Sequence, residues 1–343
     1  MGIHTFLFGH TSSGEPVFAR TVGNRNGMRM TVLDYGATIQ SLCVPDRNGV
    51  MRDIVCGYDD VYGYEKDTTY CGAIVGRWAN RIGKGAFSLD GKSYTLACNN
   101  GENHLHGGSV GYSHRIWACR EEGEDTLSFA LDSPDGEEGY PGTLHITVTY
   151  RLTEDNALSI RYFAQAESKS VINLTNHTYF NLGGHSSGTV EDHVLTLRAS
   201  RYTPMDSGNI PVGTLAPVEG TPLDFRTPAA FGSRLHDKAF NGGRGYDHNY
   251  ALDGGEGPVA ELWCPATGIG LEMTTSMEGM QLYTAGWLTE RKGKDGAVYG
   301  QAHGVCLETQ HFPNAVNCPA FPSPILRKGE TLQQWTAFRF FAR

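Results

Sequence analysis

The chain has 343 residues, 39% of them apolar and 10% aromatic, enough to bury a large core and to argue against disorder. A formal charge of -9 and a pI near 5.8, with no block of Lys or Arg, exclude nucleic acid and anionic membranes as natural partners. The 44 glycines and 15 prolines punctuate the chain too often for long helices, so the expected class is all-β.

No stretch approaches the ~20 apolar residues of a membrane span, and the opening MGIHTFLFGHTSSGEPVF lacks a basic region followed by an apolar one. The expectation is a soluble, cytoplasmic protein. Eight cysteines, at positions 43, 56, 71, 98, 119, 264, 306 and 318, form no CxxC pair and read as reduced, buried thiols. The acceptor-type triplets beginning at Asn173 and Asn176 then read as chance matches.

Taken in chain order, the first strand signals are the runs Val32 to Tyr35 and Ile39 to Val44. Phe87 and Leu89 precede Asp90-Gly91, a pair that tolerates the positive φ values of a two-residue hairpin turn, and Tyr94 and Leu96 continue the alternation beyond it. Leu127 to Leu131 is the next run. Leu144, Ile146, Val148 and Tyr150 then alternate with polar residues, Glu154 to Asn156 turn the chain, and Leu158, Ile160 and Tyr162 resume, which predicts an antiparallel hairpin. Val194 to Arg198 follows. Thr227-Pro228 resembles a helix start, but Gly232 limits any helix there to a turn or two. No repeat and no interdomain linker interrupts the chain, so residues 1–343 are expected to form a single domain, a β-sandwich with few short helices.

Five segments hold the polar residues that could carry chemistry: GRWANRI at 76–82, NHLHGG at 103–108, NLTNHTYFNLG at 173–183, YDHNY at 246–250 and LETQHFPNAVN at 307–317. His104 and His106 would point to one side of an extended strand and resemble half a metal site, yet no carboxylate follows closely, and CxxC and HExxH motifs are lacking. Alone, these histidines would read as turn-fixing residues. His177 sits among amides, a hydroxyl and aromatics, a setting fit for a proton donor near neutral pH; on composition alone a buried histidine satisfied by a carbonyl is the stronger reading. Val305 and Leu307 suggest a strand whose other side carries Glu308, a carboxylate that is either solvated or functional. Asp247 could close a turn or bind a ligand. Asn80 and Arg81 offer the planar donors that read vicinal hydroxyls, or else a turn cap and a surface salt bridge. Phosphate loops, dinucleotide fingerprints and a GxSxG elbow are all missing, so no cofactor is expected.

These segments, together with LDYGATIQSL at 33–42 and LDFRTP at 223–228, resemble the aldose 1-epimerase family in both wording and order along nearly the whole chain. The resemblance implies a galactose mutarotase-like fold, a large antiparallel β-sandwich with an open cleft. It implies an isomerase that interconverts the α and β anomers of a neutral hexose such as galactose or glucose, without metal or other cofactor. Glu308 would be the base and His177 the acid, with Asn80, Arg81, His106, Asp247 and Gln281 binding the sugar. Either Trp78 or Trp287 would offer an apolar ring to the sugar's C–H face. Asn314 stands where the family commonly has Asp, and Trp78 where it commonly has a smaller residue. Rival readings are an epimerase of a phosphorylated hexose, which would need further cations in the cleft, a carbohydrate-binding module without turnover, and a cupin-type metal enzyme. The expected partner is a small sugar, and the protein would be a monomer or homodimer.

Overall fold

The computed structural model describes residues 2–238 and 240–343. Alternation decides which way each strand faces. In the strand Leu144–Leu152 the apolar positions 144, 146, 148, 150 and 152 are all buried while His145 and Arg151 are exposed. The chain turns through Asn156 at φ 63° and returns antiparallel as Ala157–Ala166, as the pattern predicts. The second predicted hairpin, Ala86–Leu89 with Lys92–Thr95, turns at Asp90 (φ 51°) and Gly91 (φ 77°), the two positive values of a type I′ turn.

Three antiparallel sheets carry most of the strand residues. The N-terminal strands His4–His10, Pro16–Gly23, Arg29–Leu33, Ile39–Pro45 and Met51–Asp53 form a five-stranded meander. A nine-stranded sheet starts with Ala118–Glu122, Thr126–Ser133 and the hairpin above. It continues through the C-terminal strand Thr331–Ala342 to Ile269–Thr275, Ala260–Trp263, Val194–Leu197 and Ala229–Ala230. The third sheet, five strands in the order Ala216–Pro217, Arg201–Tyr202, Asp247–Ala251, Gly279–Tyr283 and Cys306–Gln310, bears the site.

The third sheet turns Tyr250, Met280, Leu282 and Leu307 into the same buried cluster as Leu271, Met273, Phe338 and Phe340 of the nine-stranded sheet. Each such side chain contributes about 1.5–3 kcal/mol of burial, so this face is fixed towards the large sheet. The period of two then sends the intervening residues, among them Gln281 and Glu308, to the opposite face.

Two local expectations are corrected. Thr227-Pro228 starts no helix: Ala229–Ala230 pairs with Val194–Leu197, and a single 3₁₀ turn, Phe231–Ser233, follows. The N–H groups of Phe231 and Gly232 bond to His193 and Glu191 carbonyls, so tertiary pairing claims donors that a helix would have used. Among the described residues the one α-helix lies instead at Val61–Glu65, capped by the Asp60 carboxylate, which accepts from Gly63 N at 2.8 Å. Among the cysteines, five are buried, but Cys98 is exposed in the loop after a hairpin, and Cys43 and Cys119 are half-buried, Cys119 at the margin of the main core. Asn173 and Asn176 are buried, as chance triplets would be. No helix among the described residues is long and apolar enough to cross a membrane.

Candidate active site

Cross-strand register builds one wall of the site. Asn249, Gln281 and Glu308 are successive partners across three adjacent strands, and Asp247 lies two residues before Asn249 on the same face. Gln281 Nε2 donates to Asp247 Oδ1 at 2.6 Å, which orients the carboxylate. Glu308 is 2% exposed, and its Oε2 has no hydrogen-bond partner.

Turns build the opposite wall. Asn80 and His106 both adopt left-handed backbone, at φ 64° and 51°. They clamp each other: His106 N donates to the Asn80 carbonyl at 3.1 Å, and Asn80 N donates to His106 Nδ1 at 3.1 Å. The turn at His106 requires glycine next, because a Cβ on Gly107 (φ +87°) would sit 1.8 Å from the Gly76 carbonyl oxygen. Asn80 Oδ1 accepts from Arg81 N at 2.9 Å, and Arg81 Nε donates to Asn100 Oδ1 at 3.0 Å. Behind Arg81, Asn314 N donates to the Arg81 carbonyl at 2.8 Å and Asn314 Oδ1 accepts from Gly83 N at 3.0 Å, so the unusual Asn braces the wall without entering the cleft.

His177 closes the floor. Its N–H donates to Ala73 O and its carbonyl accepts from Gly72 N, which pins the backbone from both sides, and its ring stacks on Tyr179 with centroids 5.1 Å apart. Nε2 stands 3.6 Å from Glu308 Oε2. The amides flanking it in NLTNHTYFNLG are staples rather than ligand groups. Asn173 binds the Ala79 and His311 backbones, Asn176 the Gly72 carbonyl, and Asn181 those of Gly188 and His303.

All seven residues singled out from the sequence, Asn80, Arg81, His106, His177, Asp247, Gln281 and Glu308, line one cleft of about 450 Å³. His104 does not. It is fully buried, with Nδ1 2.8 Å from the Ala97 carbonyl and Nε2 on the Tyr140 hydroxyl, because the chain leaves extended geometry at His106 and the two rings diverge. Trp78 is buried in a separate apolar cluster, whereas Trp287 is 49% exposed and lines the cleft. Sequence reasoning missed Tyr70, Tyr179, Tyr283 and Arg291. Tyr70 takes φ 59°, costly for a bulky residue, and lays its ring 4.5 Å from that of His106. Arg291 belongs to a charged run that reads as solvated surface; in the fold its guanidinium is tied to Asp67 at 3.0 Å.

The electrostatics follow from burial. Burial pushes the Glu308 carboxyl well above the usual carboxylate range, the Asp247 charge adds to this, and Arg81 opposes it. Burial pulls His177 down to about 4, against its own carbonyl and the Asp67 and Asp247 charges, which favour the cation. His106 is held well below its ordinary value by burial and by His177 and Arg81. Its Nδ1 accepts from Asn80 N, so the neutral ring carries its proton on Nε2 and can only donate into the cleft.

His106, His177 and Glu308 could converge on one ion, with ligand atoms within 4.8 Å of each other. The donor set suits a metal poorly. Coordination through His106 Nε2 would move the proton to Nδ1 and set it against the Asn80 N–H.

Comparison with known proteins decides the family. A family signature described as aldose 1-epimerase matches residues 19–339. The chain belongs to the aldose 1-epimerase family. Galactose mutarotase of Homo sapiens is 42% identical over 337 residues, covering 97% of each chain, and aldose 1-epimerase of Escherichia coli K12 is 36% identical over 335 residues, covering 96% of each. Among solved structures, an aldose epimerase homologue from C. elegans superposes with a TM-score of 0.88 at 32% identity, covering 94% of this chain and 98% of that one. Galactose 1-epimerase from Lactobacillus acidophilus does so at 0.87 and 27% identity, covering 100% and 99%. The aldose 1-epimerase family relation extends over nearly the full length, and the antiparallel sandwich fold is the one shared.

Proposed function

We propose that this isomerase interconverts the anomers of a neutral hexose, galactose or glucose, with Glu308 as base and His177 as acid. The observation that carries the assignment is the contact between a buried carboxyl and a buried imidazole, 3.6 Å apart at the floor of a small-molecule cleft. In the reactive tautomer Glu308 is a carboxylate and His177 an imidazolium. Glu308 takes the proton of the C1 hydroxyl, the C1–O1 bond becomes a carbonyl as C1–O5 breaks, and O5 takes the proton of His177. The open aldehyde then faces a carboxylic acid and a neutral imidazole, the tautomer that burial favours on both groups. Burial therefore assists ring opening. Rotation about C1–C2 and reversal of each proton transfer closes the ring on the other face.

His106, a pure donor, suits the ring oxygen or an adjacent hydroxyl. Asn80, Arg81, Asp247 and Gln281 read the remaining hydroxyls, and Trp287 covers a C–H face. A phosphorylated hexose fits less well: Arg291 is a second cation in the cleft, but Asp67 matches its charge. The whole chain serves this cleft as one domain, acting in the cytoplasm as monomer or homodimer.

Polarimetry of freshly dissolved α-galactose and α-glucose tests the reading. Added protein should bring the rotation to its equilibrium value much faster than buffer does; a decay at the spontaneous rate for both sugars overturns it.

A further inference from the structure

Beside the catalytic cleft lies a second cavity of about 510 Å³, and the two share Asn209 and Trp287 as lining residues. The Trp287 indole is thus a partition, and at 49% exposure the protein interior does not hold it. One side chain stacks on its ring. The Arg244 guanidinium carbon lies 4.1 Å from the indole ring centroid, the closest of the cation-on-ring contacts in the described chain. Arg244 itself lines only the second cavity, so it meets the indole from outside the cleft.

The two loops involved are pressed together. A Cβ on Gly286 would stand 1.9 Å from the Arg244 carbonyl oxygen, so the backbones touch where the residue before Trp287 passes Arg244. Thr284 N bonds to the Tyr246 carbonyl at 3.0 Å, and Trp287 N donates to the Tyr283 hydroxyl at 3.0 Å. Tyr283 in turn contacts the His177 ring edge-on at 6.2 Å.

We infer that Arg244 is a positioning residue, which, by stacking on the outer face of Trp287, fixes the indole as the cleft wall against which a pyranose rests. The inference builds on the sugar reading above. Arg244 touches no reacting atom; it acts by sparing the sugar the cost of ordering a mobile indole. Losing it should weaken ground-state and transition-state binding alike, which raises KM and leaves kcat in place.

Mutarotation kinetics of Arg244→Ala should show KM for galactose raised about two- to fivefold with kcat within about twofold. Arg244→Lys, which keeps the charge but not the planar stack, should fall between this and the parent. Adding Arg244→Ala to Trp287→Ala should change KM no further, since the partner is already gone. In the free protein, acrylamide quenching should rise in Arg244→Ala and show no such rise in a Trp287→Phe background. Unchanged KM and quenching in Arg244→Ala, an additive double variant, or a fall in kcat at constant KM would overturn the assignment. If the unmodified protein mutarotates no hexose, the sugar reading fails instead, and the quenching comparison alone decides whether Arg244 fixes the indole.

Discussion

The two walls of the cleft are made by different means. Asp247, Gln281 and Glu308 stand on three neighbouring strands, where ladder register sets their spacing and the packed apolar face behind them sets their direction. Tyr70, Asn80 and His106 stand on turns, each at positive φ, and hold position through a few mutual contacts. The sheet wall is over-determined, and a change of side chain there should alter chemistry without moving its neighbours. The turn wall stores backbone strain, so a change there should move several groups together.

The largest effect is expected at the proposed acid–base pair, Glu308 on the sheet wall and His177 on the floor. Glu308→Gln should lower kcat by about 10²-fold or more, and His177→Asn by a similar order; stopped-flow polarimetry measures both, and parental rates would reassign the roles. The same Glu308→Gln variant should not be less stable. A carboxyl whose folded pKa is raised binds its proton more tightly folded than unfolded, so its contribution to stability falls as pH rises from the ordinary carboxylate range through the raised value. The amide escapes that loss. Its melting temperature should therefore exceed the parent's by about 1–2 °C at alkaline pH, with the gap closing as pH falls.

On the turn wall a change without any polar atom should be felt at the site. Gly107→Ala places a methyl against the Gly76 carbonyl at a backbone angle that disfavours it, and should cost about 2–4 kcal/mol of stability. Because the same turn aims His106, KM for the sugar should rise severalfold. Denaturant melts and saturation kinetics read the two effects, and a shift in stability with unchanged KM would detach His106 from binding.

What could be read in the sequence divides along the same line. The facing of Glu308 was legible because Val305 and Leu307 mark one side of a strand and leave the carboxylate on the other, whereas its role came only from the family resemblance; the hairpins at Asp90-Gly91 and Asn156 were legible for the same period-two reason. Pairing His104 with His106 failed because it assumed extended backbone at a residue that turns. Tyr70 and Arg291 gave no signal: one depends on a strained φ, the other on an ion pair formed with Asp67. Segment words found the cleft residues, but not which polar atoms enter it, since the asparagines beside His177 are spent on backbone carbonyls. Trp78 and Trp287 were indistinguishable until packing buried one and exposed the other.

The smallest effect separates the walls most cleanly, because each lends the acid–base pair a charge of opposite sign. In the proposed mechanism the pair reacts when it holds one proton. Its acid limb is the gain of a second proton, governed by the lowered His177, and its alkaline limb is the loss of the only one, governed by the raised Glu308. Asp247, from the sheet wall, raises both groups, so Asp247→Asn should carry both limbs of kcat/KM towards lower pH. Arg81, from the turn wall, lowers Glu308, so Arg81→Met should carry the alkaline limb towards higher pH and leave the acid limb in place. Shifts of roughly half a unit to one unit are expected, and a neutral hexose adds no titration of its own in this range. A profile that only loses height in both variants, with its limbs fixed, would mean that these charges bind sugar hydroxyls without tuning the proton shared by Glu308 and His177.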